Sequence, residues 1–302
     1  MTAPLVTIAI GAYNRAHLIG RTLDSLLRQT VTDFEIAIGD DASTDATREV
    51  CERYAAADPR IRYHRNEQRL GLGGNCSRLL SSARGEFIVL AGDDDIYEPA
   101  FLERLLSEMR RHPSLSLAAC RVDIIDQNGA FVRTMEQHFA AGPARSRFRC
   151  ANRMLWRGYG NLMTGIYRRE HVARTLLYLP AHGHAWEAID LLFLFDMALQ
   201  GDVVSIPDVL LHKRIGGVSS APPKRHPGQA LVLWAAVVRA YALRIRRSAL
   251  SSAQKALLYA SLSVRALYML WEWKGYFAYT LLTTVDPNRR VRRHLRRLVV
   301  SE

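Results

Sequence analysis

Phe87-Ile88-Val89-Leu90-Ala91-Gly92-Asp93-Asp94-Asp95-Ile96-Tyr97-Glu98-Pro99 is an apolar run that ends in three consecutive acids. The apolar part matches a sheet strand covered on both faces. Gly92 lets the chain turn, and Pro99 suits the first turn of a helix running through Phe101, Leu102, Leu105 and Leu106. Acids at the carboxyl end of such a strand point at the ligand crevice of an α/β sheet. Three adjacent carboxylates repel one another, so the turn needs a cation or hydrogen-bond donors. A divalent metal of the magnesium or manganese type holding a diphosphate would supply the cation. A solvated turn capping the next helix is the other possibility, and the stretch alone leaves both open.

Upstream the same scheme repeats. Residues 5–10 are an apolar, β-branched run, followed by Gly11-Ala12-Tyr13-Asn14-Arg15 and by Leu18, Ile19, Leu23, Leu26 and Leu27 at helical spacing. Phe34-Glu35-Ile36-Ala37-Ile38 closes in Gly39-Asp40-Asp41-Ala42-Ser43-Thr44-Asp45 before another helix carrying Val50, Cys51 and Tyr54. Residues 61–65 form a weaker strand, and 66–75 read as a Gly-rich loop before a short helix. Gly71, Gly73 and Gly74 do not make a dinucleotide fingerprint, because position 76 is Cys.

Downstream, residues 116–123 read as a strand and 127–129 as a turn. Residues 133–153 are polar, Arg-rich and without period, which predicts a variable loop. A strand over 161–167, helices over 169–177 and 188–199, and a strand over 203–210 follow. Strands alternating with helices predict an α/β protein with a doubly wound, mostly parallel, Rossmann-like sheet.

Among the 302 residues 49% are apolar, enough for a sizeable core and against global disorder. The formal charge of +12 is uneven: residues 213–302 carry seventeen Lys and Arg against three acids, and the remainder is nearly neutral. Cys51, Cys76, Cys120 and Cys150 lack the close pairs of zinc or redox motifs, which suits idle thiols in a reducing cytosol. No basic-then-apolar leader is seen, and an uncharged run such as 226–238 is short for a membrane span, so a cytoplasmic protein is expected.

Four blocks, in order, resemble the inverting glycosyltransferases of family 2, which have the GT-A fold. They are Ala12-Tyr13-Asn14-Arg15, Gly39-Asp40-Asp41-Ala42-Ser43-Thr44-Asp45, Gly92-Asp93-Asp94-Asp95-Ile96-Tyr97-Glu98-Pro99, and Asp190 ahead of Leu199-Gln200-Gly201. The resemblance covers roughly residues 4–220. It implies a GT-A domain over 1–220, with a nucleotide-sugar half to about residue 115 and an acceptor half after it. It also implies that Ala12, Tyr13 and Arg15 line the nucleotide, that Asp41 or Asp40 accepts a hydrogen bond from the base, and that Asn66 and Asn75 lie nearby. A carboxylate suits an imide N–H, so a UDP-linked sugar is the expected donor.

Within the acidic turn the family pattern puts Asp93 near the ribose and metal and Asp94 on a divalent cation, Mn2+ or Mg2+. Asp95 then orders the turn or caps the helix. The family's general base is an acid eleven residues before a Gly; counting back from Gly201 gives Asp190, with Glu187 one helical turn earlier as the reserve. Capping of the next helix stands as the alternative for Asp190, as it does for Asp40. Trp186 is a platform for the acceptor sugar or a core residue. His212 is placed to meet the metal, and Arg214 to bind the diphosphate through its planar fork, although a solvated basic loop is an equal reading.

A sugar-1-phosphate nucleotidyltransferase is a weaker reading, because the Gly-rich start with its Arg and Lys pattern is missing. An inactive membrane adaptor of the same fold is favoured only if Asp190 lies outside the cleft.

Pro222, Pro223 and Pro227 mark a boundary before a helical, basic extension over 221–302. Residues 256–284 read as an aromatic-rich helical hairpin. Asp286 and Pro287 start a helix with Val291, Leu295, Leu298 and Val299 on one face and Arg289, Arg292, Arg293, Arg296 and Arg297 around the other. That composition predicts peripheral contact with an anionic membrane on its inner face, in keeping with a glycan or lipid-linked glycan acceptor. Packing against the enzyme or a second subunit is the alternative. No nucleic-acid motif is present.

Overall fold

Alternation of bulky and small residues along the first two strands decides how the sheet is covered. The structure, a computed structural model, describes residues 3–135, 147–156, 160–176, 189–215 and 227–285. It divides into two compact units, Met1–Ser220 and Ala221–Glu302. In the first, β1 (Val6–Ala12) pairs in parallel with β2 (Phe34–Asp40) and β4 (Phe87–Ala91), and β2 pairs in parallel with β3 (Ile61–Arg65). On one face Val6, Ile8, Ile10, Phe34, Ile36 and Ile38 pack with Leu23 and Leu26 of α1 (Ile19–Leu27) and Leu102, Leu105 and Met109 of α4 (Phe101–Arg111). Each such side chain contributes about 1.5–3 kcal/mol when fully buried.

The opposite face carries Ala9, Ala37, Gly11 and Gly39, and here Leu79 of α3 (Gly71–Ser82) packs. A Cβ on Gly39 would lie 2.6 Å from the Asn75 side-chain oxygen, so the missing side chain is what lets α3 approach. Asn75 Nδ2 then donates to the Gly39 carbonyl at 2.6 Å.

Gly71, Gly73 and Gly74, expected in a loop, belong to α3. Two features offset their poor helix propensity. Gly71 starts the helix at φ +74, and the Asp41 carboxylate accepts the N–H groups of Leu70 and Gly71 at 2.7 and 2.8 Å, capping it from outside the local sequence. The helix after β2, α2 (Thr47–Ala57), falls as expected.

Beyond β4 come β5 (Ile96–Tyr97), β6 (Leu115–Ile125), β7 (Phe131–Thr134), β8 (Ile166–Arg168) and β9 (Asp202–Arg214). The order across the sheet is β3-β2-β1-β4-β8-β6-β9-β5, with β7 paired to β6. Parallel pairing runs through the first four; β8 enters antiparallel between β4 and β6, β6 and β9 are parallel, and β5 is antiparallel to β9. The sheet is therefore mixed, with its parallel half at the amino end.

Three stretches differ from expectation. Residues 161–167 are mostly a 3-10 turn, Gly160–Thr164, with only the end entering β8. A Cβ on Gly165 would stand 2.6 Å from the Ala118 carbonyl, so the backbone crosses β6 too closely for a pleated approach. The Arg-rich stretch 133–153 contains the end of β7 and the start of α5 (Arg147–Trp156), which buries Cys150, Ala151, Met154 and Leu155. His212, Lys213 and Arg214 lie in β9 instead of a loop. The helices α6 (Arg169–Leu176) and α7 (Ile189–Gln200) fall close to the predicted ranges.

The second unit holds α8 (Pro227–Arg247) and α9 (Ser252–Val285). The predicted hairpin within 256–284 is one continuous helix, because Gly275 alone is not enough to break it. The hairpin is formed instead by α8 and α9, where Trp234 Nε1 donates to the Ala266 carbonyl and the Tyr259 hydroxyl to that of Ala242, both at 3.1 Å. No helix among the described residues is long and apolar enough to cross a membrane. The basic stretch after Val285 lies outside the described residues.

Candidate active site

Parallel strands deliver the loops that follow them to one edge of the sheet, and β1, β2, β3 and β4 do so here. The first two loops are stitched together. Asp41 N–H donates to the Ala12 carbonyl at 2.8 Å, Asn14 N–H to Ser43 Oγ at 3.0 Å, and Thr44 N–H to Asn14 Oδ1 at 2.8 Å. Arg15 N–H reaches Thr47 Oγ1 at 2.7 Å. Asn14 and Ala42 hold φ values of +54 and +59, and they alone among the described non-glycine residues are left-handed. Left-handed backbone is costly for residues with a Cβ, and both sites lie in the loops that form the crevice edge.

Asp40 and Asp41, candidates for the base, are fully buried and already engaged by the protein. Asp40 accepts Ser43 N–H at 2.8 Å and the Tyr63 hydroxyl at 2.7 Å, with Arg65 Nε at 3.7 Å. Asp41 accepts Asn66 Nδ2 at 3.1 Å in addition to its two cap bonds, and Asn66 Nδ2 also reaches Asn75 Oδ1 at 3.1 Å. Asn66 and Asn75 are thus brought to this edge, but inside a network that fixes residues 66–71. Tyr13 stands beside it with the Arg69 guanidinium 3.9 Å from its ring centroid.

In the acidic turn each carboxylate has a different environment. Asp93 Oδ1 accepts Arg15 Nε at 3.2 Å. Burial pushes its pKa up to about 6, the Arg15 charge opposes this, and Asp94 adds to it. Asp95 is fully buried and likewise pushed up to about 6 by burial; its Oδ1 accepts Arg214 N–H at 3.0 Å, tying the turn to β9. Asp94 is half-buried, and among the described residues its carboxylate accepts no hydrogen bond. A Cβ on Gly92 would sit 2.5 Å from Asp95 Oδ2, so only glycine lets the chain fold this tightly.

Among the described residues no group of three or more His, Cys, Asp or Glu forms a ready metal cage. The chemistry of the turn still fits a magnesium-type ion, which takes one or two carboxylates and completes its shell with phosphate oxygens. Asp94 and Asp93 would hold it, and their crowded negative charge is what such an ion would relieve.

His212 Nε2 pairs with Glu98 Oε1 at 2.7 Å, so that nitrogen is engaged. The Arg214 guanidinium is engaged too: Nε donates to the Asp94 carbonyl at 3.1 Å, and Nη1 to the carbonyls of Asp126 and Gln127 at 2.8 and 2.7 Å. It clamps the β6–β7 turn to the acidic turn. Of the run His212-Lys213-Arg214, which the resemblance puts where relatives meet the metal or diphosphate, Lys213 is the member given no separate role by the sequence. The residue is half-buried, makes no side-chain hydrogen bond or ion pair among the described residues, and has a charge that favours ionisation of both Asp95 and Asp190. Its membership of a three-residue basic run is the only signal the sequence offers.

Asp190 lies in the first turn of α7. Its Oδ1 accepts Leu191 N–H at 2.9 Å, and burial raises its pKa, with Lys213 opposing. One oxygen of Asp190 thus makes a helix-end contact, and burial makes the carboxylate more basic. Glu187 and Trp186 lie outside the described residues. A cavity of about 430 Å3 opens between Arg21, Ile96, Asp123, Phe131, His212 and Arg214.

Residues 7–171 match the family described as glycosyl transferase family 2. Among curated proteins, the chain is 36% identical over 129 residues to the chondroitin synthase of Escherichia coli, covering 43% of this chain and 19% of that one. It is 28% identical over 216 residues to the EpsH protein of Bacillus subtilis, covering 71% and 62%. It therefore spans less than two thirds of either relative. Among solved structures, TarS 1–349 of S. aureus in complex with UDP-GlcNAc superposes with a TM-score of 0.68 at 22% identity, covering 86% of this chain and 72% of that one. The Pyrobaculum calidifontis mannosyltransferase PcManGT, with GDP-Man and Mn2+, superposes at 0.53 and 21% identity, covering 94% and 87%. The architecture is GT-A, and with more than half of its length inside the matched region the chain belongs to glycosyl transferase family 2.

Proposed function

We propose that the protein transfers one sugar, with inversion, from a UDP-linked donor to a hydroxyl of a glycan or lipid-linked glycan, using a divalent cation. What supports this is the contact of Arg15 with Asp93 beside Asp94, together with the charge of Lys213 acting on both Asp95 and Asp190. The nucleotide lies along Ala12, Tyr13 and Arg15. Asp94 and Asp93 would hold the cation, which would supply positive charge to the departing diphosphate, and Lys213, in place of Arg214, adds positive charge there.

Asp190 takes the proton of the acceptor hydroxyl as its oxygen attacks the anomeric carbon from the side opposite the leaving group. The bond from that carbon to the diphosphate oxygen breaks, and the nucleoside diphosphate leaves with the electron pair. Burial raises Asp190 toward the basicity such a step needs. The complex of TarS with UDP-GlcNAc supports a UDP-linked donor, and that of PcManGT with GDP-Man and Mn2+ supports a nucleotide-diphosphate sugar and a divalent cation.

The second unit places the enzyme peripherally on an anionic membrane, on the cytoplasmic side. Exposed Leu257, Val264, Leu267 and Tyr268 along α9, with Arg265 stacked 5.3 Å from the Tyr268 ring centroid, support that role.

The experiment is thermal shift and donor hydrolysis of the full chain with Mn2+ and a panel of UDP-, GDP- and dTDP-sugars, comparing wild type with Asp94→Asn. A metal-dependent rise in Tm and slow hydrolysis with one donor, both lost in the variant, are expected. No response to any donor, or an Asp94→Asn protein that responds like wild type, defeats the proposal.

A further inference from the structure

Side chains alternate across β9 at its carboxyl end. Leu211 is buried in the core and Lys213, two residues on, acts on Asp95 and Asp190, whereas His212 and Arg214 take the other face. Strand register carries that second face sideways. Ile96 of β5 and Asp123 of β6 pair with His212, Ile125 pairs with Arg214, and Phe131 of β7 pairs with Ile125. Together with Arg21 of α1, the residues of this second face line the cavity of about 430 Å3. Their chain neighbours Tyr97, Val122 and Leu211 belong to the core. The cavity therefore opens on the face turned away from Lys213, and no step of the proposed transfer uses it.

Its lining combines apolar and hydrogen-bonding groups. The Phe131 ring is 63% exposed and stands with the side chains of Ile96 and Ile125. Among the described residues the Arg21 guanidinium makes no hydrogen bond or ion pair, Asp123 uses one oxygen on the Thr134 hydroxyl at 2.7 Å, and His212 engages its Nε2 alone, with Glu98. Donors and acceptors of both charge signs around one exposed ring suit a neutral polyhydroxyl ligand. A sugar ring has an apolar C–H face to lie on an aromatic ring, and hydroxyls that both donate and accept. A simple anion would meet the Asp123 carboxylate, and a lipid chain would strip water from Arg21 and Asp123 without replacing its hydrogen bonds. The volume of about 430 Å3 falls at the lower end of the range for small-molecule sites, about 300–1,000 Å3, which suits a short saccharide.

We propose that this cavity holds a neutral saccharide unit of the glycan acceptor, at a place separate from the reacting hydroxyl. This rests on the reading of the protein as a glycan-directed transferase and gives that glycan a second site. Arg214 links the two places, since it lines the cavity and donates to the Asp94 carbonyl. Two weak contacts with one glycan raise the local concentration of its reacting end.

The test is ligand-observed NMR of the full chain with maltotriose, cellotriose and chitotriose, for wild type, Phe131→Ala, Phe131→Tyr and Arg21→Ala. Wild type is expected to bind at least one of the three, with saturating UDP present as well as absent. Phe131→Ala and Arg21→Ala each weaken that binding by about 3- to 10-fold, and Phe131→Tyr retains it. Tm stays within about 2 °C of wild type in all three variants, because both side chains are exposed.

Binding of none of the three saccharides, equal binding by wild type and both alanine variants, or displacement of the saccharide by UDP overturns the inference. Failure of the transfer reading shows on a separate readout: a wild type whose Tm answers no nucleotide sugar with Mn2+ refutes that reading, whatever Phe131→Ala does to saccharide binding.

Discussion

Asp41→Asn separates two roles for one carboxylate. The family resemblance makes Asp41 or Asp40 a partner for the base, whereas the structure uses Asp41 to cap α3 and hold residues 66–71. Of its two oxygens, Oδ1 accepts Asn66 Nδ2 and Leu70 N–H, and Oδ2 accepts Gly71 N–H, all between 2.7 and 3.1 Å. Asparagine keeps one oxygen for the first pair and turns an amide N–H2 toward Gly71 N–H. One buried charge-assisted bond is lost, worth about 1.5–3 kcal/mol, together with a charge at a helix amino end worth about 0.3–1 kcal/mol. The sum is about 3 kcal/mol. For a unit of this size it lowers Tm by about 6–12 °C, measurable by scanning calorimetry. A fall below about 2 °C refutes the structural role. If that small fall accompanies a tenfold loss of UDP affinity, the carboxylate serves the base after all.

Other outcomes follow from particular contacts. Glu35 is buried, which alone would raise its pKa, but hydrogen bonds from Arg62, Arg84 and Thr7 outweigh this and hold it at about 2, against 4.5 in the unfolded chain. A depressed carboxylate stabilises fully above pH about 4.5, and this is lost as pH falls toward about 2. With both arginines partly exposed, about 1–3 kcal/mol is expected. Thermal melts from pH 6 to pH 2 should show Glu35→Gln less stable at the top of the range and converging on wild type at the bottom; parallel curves would contradict the pairing. Ala42→Gly relieves the left-handed backbone at φ +59 and should raise stability by about 0.5–1 kcal/mol in urea denaturation, whereas any loss argues that the strain is absent. Removing residues after Val285 should reduce flotation with anionic liposomes while leaving UDP binding intact, and undiminished flotation removes those residues from the membrane contact.

The amino-terminal half was legible because its signals are local. The β-branched runs of β1, β2 and β4, each ending in glycine or acids, name both the strands and the edge where ligands meet. Arg15, Asp93 and Asp94 lie together at that edge, where the family resemblance put them. The Arg-rich start of α5 and the 3-10 turn before β8 were hidden: buried Cys150, Met154 and Leu155 are diluted by arginines, and Gly165 acts through a close crossing of β6 that no local pattern announces.

The opening stretch Phe87–Pro99 shows the division clearly. Its composition alone determined a buried strand, a glycine turn and three acids at the strand's carboxyl end, since hydrophobic period and turn chemistry depend on neighbours a few residues away. Which acid does what was decided by contacts across the fold. Asp93 faces Arg15, Asp95 is tied to Arg214 of β9, and Asp94 is left half-buried without a hydrogen-bond partner among the described residues. The same contacts engage Arg214 on backbone carbonyls, while the charge of Lys213 acts on Asp95 and Asp190. The physical reason is that ionisable groups take their roles from burial and from charges that the fold alone brings within reach.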